Sequence, residues 1–572
     1  MSFFFDGRLY TTPTVVSRVD DSAMDNPNTN VGNALGFVGR SLGGKPNTVL
    51  RFSNAGEARA ALVGGELLDA VLAAFDPSAE TAAPAEINVV RVNPALQSTL
   101  TLSTASSVAA ILLSSQDYGA RANRIAVKVE SASNGRGLKL TTKLGDQTYS
   151  GDNIFRDAFS IRYTGSETTA VIQTSNTQIV VSAPSGTPVA TLDLNEFKTV
   201  QEVVDRLSAV PDLAVSVTDG SGSQPALNGL DTVTAQDIRT ATYIVRADLQ
   251  AAVDWLNGAS EGFVTATRAA NAGALPQPIP FTYLAGGSDG VVTNNNWSTA
   301  FETLQNADVA WVGVASSAPD IHAMASAHAS YMSTNGRSER RVVVGTPLST
   351  SDATAATLAK AINSDRVSLV HLGSYGYNAA GALVLQEPYI TAAKVLGAFA
   401  GSIPGTPLTN KSIKVQGLER KLRNPTDTDA LIKAGVLCIE DTREGFKVVK
   451  SISTWLNDTK INRVEQSTGA ALDFTSRVLR ASVEGVKGRK GDPITLAWAR
   501  SQLETALSTL AQPEPIGLAV LVGDVVNPAW RNLTVSLSGD TVQIAVEVQP
   551  AIGVNYVGIT IYAKPYSGSA SV

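Results

Sequence analysis

Residues 531–562 hold three runs in which apolar and polar side chains alternate: Leu533, Val535 and Leu537; then Val542, Ile544, Val546 and Val548; then Val557, Ile559 and Ile561. A period of two is the signature of a strand with one buried face. Ser538-Gly539-Asp540 supplies a tight hairpin turn between the first two runs. Pro550, which cannot donate to a ladder, ends the second. Three strands alone make a small sheet with two open edges, and open edges are normally blunted or paired. A final strand in that position is free to be lent to a neighbour.

Upstream, the pattern changes to strands alternating with helices. Runs at 281–284, 309–314, 341–345 and 367–372 read as strands, and 297–304, 320–333 and 351–362 as helices between them. Such alternation predicts a parallel sheet covered by helices. Buried strands at 34–38 and 87–92, with helices at 54–63 (capped by Ser53) and 66–75, precede it. Residues 131–275 differ. Short strands at 138–143, 159–163, 170–174, 178–182 and 189–194, separated by Gly, Ser, Thr and Asn turns, predict an inserted, peripheral β-rich domain with helices at 200–210 and 248–256. After 411 come a helix at 427–435, strands at 436–440 and 446–453, and helices at 462–485 and 493–511. The expected fold is therefore mixed α/β and multidomain: an α/β sheet domain, a C-terminal α+β domain completed by terminal strands, and a β-rich insertion.

A parallel sheet often carries an active site at its strand ends, so the chemistry must be weighed. The three histidines are His322, His328 and His371. The first two stand six apart on one predicted helix, on different faces, and cannot act as the i, i+4 pair of a metal site. Asp289, Asp352, Asp365 and Glu387 are isolated at turns or helix starts. Gly39-Arg-Ser-Leu-Gly-Gly44-Lys45-Pro46 approaches a phosphate-binding loop, but Pro46 replaces the hydroxyl residue and the following stretch reads as extended rather than helical. The lone Cys438 lies in an apolar strand and reads as a small buried hydrophobe. No catalytic residue, cofactor or metal is expected. A net charge of −6 argues against a broad nucleic-acid surface. Met1-Ser-Phe-Phe-Phe5-Asp6 lacks the pattern of a secretory leader, and no apolar run suits a membrane span. Arg337-Ser-Glu-Arg340-Arg341 reads as a solvated basic loop.

Several segments carry a resemblance. Ala545-Val-Glu-Val-Gln-Pro550 followed by an aromatic and β-branched terminal strand, Tyr10-Thr-Thr-Pro13-Thr-Val15-Val16-Ser-Arg-Val19-Asp20-Asp21 near the start, and Leu284-Ala-Gly286-Gly287-Ser-Asp289-Gly290 in the middle resemble, in that order, the contractile tail sheath proteins of bacteriophages. One motif departs: the family's Trp-Gly-Asn is Arg121-Ala122-Asn123 here. The resemblance implies a non-enzymatic subunit that polymerises helically, in six-fold rings, around an inner tail tube and contracts to drive it through the host envelope. It implies as partners other copies of the chain, the tube protein, the baseplate and the tail terminator, without nucleic acid or membrane insertion. It places the protein in the virion tail, made and assembled in the host cytoplasm.

The organisation expected on this reading is an exchange arm at 1–30, the first part of the core at 31–130, the outer insertion at 131–275, the α/β core at 276–410, a tube-facing domain at 411–550 and an exchange strand at 551–572. Val15, Val16 and Val19, and Val557, Ile559 and Ile561, are the expected inter-subunit strands. Lys487, Arg489 and Lys490, a basic cluster on an acidic chain, are the expected tube contact. Two other readings stay open: a cytoplasmic α/β enzyme with a β-rich insertion, and a non-contractile structural or adhesion protein of the particle.

Overall fold

The computed structural model describes residues 3–5, 8–10, 34–259, 262–270, 272–378 and 381–568. Its centre is a seven-stranded sheet in the order Val436–Leu437, Val367–Val370, Arg341–Gly345, Trp311–Ala315, Leu35–Gly39, Ile87–Arg91, Val49–Phe52. All neighbours are parallel except the edge strand Val49–Phe52. Period two sorts the side chains. Leu35, Phe37, Val89, Trp311 and Val343 enter one core, and Val38, Val90, Val312, Val314 and Val344 the other. Helices Asn294–Leu304, Pro319–Thr334 and Asp352–Ile362 cover the second face. Helices Glu66–Phe75 and Pro388–Ala400 cover the first.

Pro388–Ala400 is buried almost all round, as expected of a helix sandwiched between layers. Gly397 lets it approach Glu66–Phe75: a Cβ there would stand 2.3 Å from the Ala74 carbonyl oxygen. Trp311 and Phe399 stack at 4.5 Å between sheet and helix.

The expected boundaries are corrected in three places. Strand Val436–Leu437, assigned to the C-terminal domain, is an edge of the central sheet, and Cys438 beside it is fully buried with its thiol pushed up to about 12 by desolvation. The β-rich region is two units, one nested in the other. The inner unit joins Gln97–Ser103, Ala109–Tyr118 and Val264–Arg268 in one sheet, and Ala126–Ser131, Leu138–Leu144, Gln147–Ile154 and Ile279–Tyr283 in another. These share a core with helix Asp248–Ala259, so the boundaries at 131 and 275 fall inside this unit. The outer unit is built from Asp157–Tyr163 through Tyr243–Arg246, with two sheets and helix Val200–Ser208 around a core of its own. Arg136, paired with Asp157 and Asp248, and Arg156, bonded to Asp254 at 2.6 Å, clamp the two crossing points between them.

The third correction concerns the helix expected at 462–485. It breaks at Glu465, whose backbone is extended (φ −93, ψ 119), between Ile461–Val464 and Gln466–Ser482. Local pairing outcompetes the helix there. Ser453 N donates to Val464 O at 2.9 Å, and Gln466 N to Ser451 O at 3.1 Å. The cap before helix Ala55–Leu62 also shifts by one residue, to Asn54, whose Oδ1 accepts from Glu57 N. Among the described residues, no helix is long and apolar enough to cross a membrane.

The basic loop at 337–341 is not a solvated face. Arg340 is 0% exposed and Arg341 4%. Arg341 bonds Asp473 at 2.7 Å and Gln466 at 2.8 Å, Arg366 bonds Asp473 at 3.0 Å, and Arg480 bonds Glu339 at 2.7 Å. These charges fasten helix Gln466–Ser482 to the sheet body. Arg340 turns inward, donating to the carbonyls of Leu304 and Ala307 at the end of a helix and to His328 Nε2 at 2.7 Å.

That last bond requires a neutral imidazole. Burial first, then the Arg340 charge, push His328 down to about 3. An unfolded histidine titrates near 6.5. The unfolded chain therefore gains a proton that the folded chain refuses, and stability present above pH 6.5 is lost as pH falls toward 3. We expect this group to cost about 2 kcal/mol between pH 7.5 and 5. His328→Gln, which keeps an acceptor for Arg340, should lessen the fall in urea midpoint over that range. Equal slopes for the two proteins would show that His328 is not the group responsible.

Candidate subunit interface

Helices Gln466–Ser482 and Pro493–Leu510 and the hairpin Trp530–Ser538/Thr541–Val548 share the last core. The hairpin turns at Gly539-Asp540, within the expected turn, and sets Val535 opposite Ile544 and Leu537 opposite Val542. Leu533 at its root is buried against the helices, whereas Leu537 and Ile544 near its tip are exposed. The sheet has two strands, not three. The stretch holding Val557, Ile559 and Ile561 pairs with no described strand, and these side chains are 79%, 81% and 84% exposed.

The tail is nevertheless not loose from its start. Ala551 N donates to Val520 O at 2.9 Å. Gly553 lies against Pro407, where a Cβ would come within 2.7 Å of the proline ring. Asn555 accepts from Thr409 Oγ1 at 2.8 Å and donates to Glu465 Oε2 at 3.3 Å. Lys450 Nζ reaches the Tyr556 hydroxyl at 3.2 Å. Exposure becomes continuous only beyond this point. At the other end, Phe3–Phe5 and Arg8–Tyr10 form an antiparallel hairpin that the sequence reading missed. Val15, Val16 and Val19 lie outside the described residues.

Lys487, Arg489 and Lys490 occupy the exposed turn before helix Pro493–Leu510. Lys487 pairs with Glu484. The Arg489 guanidinium stacks on Trp498 at 4.2 Å and donates to Gly485 O at 2.8 Å. The loop is thus held in place, with part of its charge compensated.

A buried junction that sequence reasoning missed joins the sheet body to the β-rich unit. Arg91, 0% exposed, donates to Gly44 O at 2.8 Å, Tyr118 O at 3.1 Å and Asp289 Oδ1 at 3.1 Å. Asn123 grips Gly287 on both sides, accepting from its N–H and donating to its carbonyl, each at 2.8 Å. The Gly-Gly-Ser-Asp-Gly turn, with Gly286 and Gly290 at positive φ, is thereby a latch between two bodies. The available signal was an arginine inside an otherwise apolar strand run.

The same geometry disposes of the phosphate-loop reading. Leu42 N donates to Gly64 O, Gly43 N to Leu62 O, and Gly44 turns its carbonyl to Arg91. The loop offers an oxygen to a cation rather than amides to an anion. The carboxyl ends of the central strands border a crevice of about 820 Å³ lined by Arg40, Glu66, Asp320, Glu387 and Tyr389. His322 Nε2 bonds Ser316 O, and His371 bonds Asp352. Among the described residues, no three acidic, histidine or cysteine side chains converge as a metal site would require.

Residues 290–454 match the family model for the phage tail sheath protein central domain. The chain is similar over 99% of its length to the tail sheath protein of Bacillus phage SP01, at 27% identity and 97% coverage of that protein. It is similar over 98% of both chains, at 25% identity, to a putative tail sheath protein of Enterococcus phage phiEF24C. Its fold is similar to the sheath tail proteins of Desulfitobacterium hafniense (TM-score 0.54, 15% identity, covering 94% of this chain and 97% of that one) and of Listeria innocua (TM-score 0.55, 14% identity, covering 91% and 92%).

Proposed function

We infer that this chain is a tail sheath protein of a phage, a structural subunit of the contractile sleeve around the tail tube. The observation that carries this is the end-to-end similarity to a phage tail sheath protein, 99% of one chain against 97% of the other. Its role is mechanical and non-enzymatic. Copies assemble helically, in six-fold rings, around an inner tail tube protein, between a baseplate and a tail terminator, and they are made in the host cytoplasm. The 157–247 unit faces outward. The terminal segments at 15–19 and 557–561 add strands to the small sheets of different neighbours, in the mode where backbone pairing supplies affinity and alternating side chains set register. An exposed stretch of alternating apolar residues that follows a two-stranded sheet with open edges in the chain supports this.

Electron microscopy of the purified chain tests the assignment. Long hollow cylinders are the expected result. A small discrete oligomer would favour the α/β enzyme, and cylinders fixed in a single length per subunit would favour a non-contractile particle protein.

The tube contact is placed at Lys487, Arg489 and Lys490. Reversing Lys487 and Lys490 to Glu should weaken tube binding several-fold at low salt and less at high salt, because exposed charges are screened within about 10 Å at 0.1 M. Arg489 is spared because its stacking on Trp498 also holds the loop. Binding unchanged at low salt would place the contact elsewhere.

A further inference from the structure

We propose that the pair Asn555–Glu465 is the pivot of the C-terminal arm: it pins the arm's root to its own subunit, so that only residues beyond Tyr556 are lent to a neighbour. This rests on the strand-lending reading above and adds the place where the lent strand is held.

Glu465 is 2% exposed and sits at the one break in the helical run 461–482. The break turns its carboxylate toward the arm. Asn555 spans two elements, accepting from Thr409 and donating to Glu465. Thr409 in turn accepts from Ser451 N at 3.3 Å, so the arm's root is tied to the segment that leaves helix Pro388–Ala400 and to the one that enters helix Gln466–Ser482. The close approach of Gly553 to Pro407 fixes the path before the pivot, and Lys450 with Tyr556 fixes it after. A strand lent across a lattice that rearranges must be anchored at its own end, or a pull on it would peel the segment 551–556 from the body. The side-chain amide suits this position: it offers one acceptor and two donors, and the structure uses one of each.

Charge provides the test. In full-length protein, Asn555→Asp puts a second carboxylate against Glu465 and removes the donor. It should raise the concentration needed for cylinder formation at least tenfold, about one decade per 1.4 kcal/mol, and speed backbone hydrogen exchange within 551–556 while leaving the body's exchange unchanged. Adding Glu465→Gln restores a donor–acceptor pair in reverse and should return both readouts to within about threefold of the parent, as coupled neighbours do. Asn555→Ala gives a second route if the aspartate variant fails to fold. Parental assembly and exchange in Asn555→Asp, or in Asn555→Ala where that stands in, overturn the pivot, as does a double variant no better than the single. A chain ended at Tyr556 separates the two ideas: if it assembles normally, lending of the C-terminal strand itself fails. If it does not assemble while the Asn555 variants behave as the parent, only the pivot does.

Discussion

Ending the chain at Tyr556 should yield a folded monomer that does not form cylinders. The structure sets the cut. Ala551, Gly553 and Asn555 are packed on the body, so a break before Gly553 would damage the subunit as well as the arm. Beyond Tyr556 the chain touches little of its own subunit. Val557, Ile559 and Ile561 stand in solvent, and burying each on a neighbour is worth about 1.5–3 kcal/mol. Main-chain bonds of an added strand contribute roughly 0.5–1.5 kcal/mol each. One lent strand would be a modest contact, but it would recur at every subunit. Ile559→Pro, which removes one donor and one apolar side chain, should also prevent assembly without moving the melting temperature. Deleting residues 1–20 should act similarly if the 15–19 segment is the second lent strand. Cylinders of normal length from both truncations would show that the bodies alone hold the lattice.

Arg91→Ala should destabilise the subunit by roughly 3–5 kcal/mol, the range for removing one partner of a buried charged network. The guanidinium is fully buried and serves two carbonyls and a carboxylate from three separate segments. Without it, the Gly44 and Tyr118 oxygens lose that donor inside the protein, at about 1–3 kcal/mol for each unsatisfied group. Asp289→Asn should cost far less, about 1 kcal/mol, because Asp289 is partly exposed and an amide oxygen still accepts. Gly287→Ala belongs with the severe class: a Cβ would lie 2.2 Å from Ser98 Oγ and 2.6 Å from the Gly119 carbonyl oxygen. Urea unfolding of the three variants checks the order. An Arg91→Ala midpoint close to the parent's would mean that the latch is not what joins the two bodies.

Patterns that repeat within a few residues were legible in the sequence, because strand and helix periods are local properties of the backbone. The hairpin turn at 538–540, the strand 341–345 and the helix 66–75 all follow from spacing and turn residues. The sheath resemblance was legible as well, from three motifs in order. Contacts between distant segments were not. Arg91 and Asp289 are 198 positions apart, and nothing local marks them as partners. Likewise, 97–154 and 248–283 form one unit because their strands pair across an insertion, a choice made by burial of a shared core. Val436–Leu437 joins the central sheet because an apolar edge needs a partner, and Leu431 before it and Cys438 after it enter the same core. Glu465 leaves the helix because the backbone at 451–453 pairs with Val464 and Gln466 on either side of it, a partner that only the folded chain brings near. The same holds for the tail: alternation marked 557–561 as a strand, but only the tertiary structure shows the chain held on its own body as far as Asn555 and exposed beyond it.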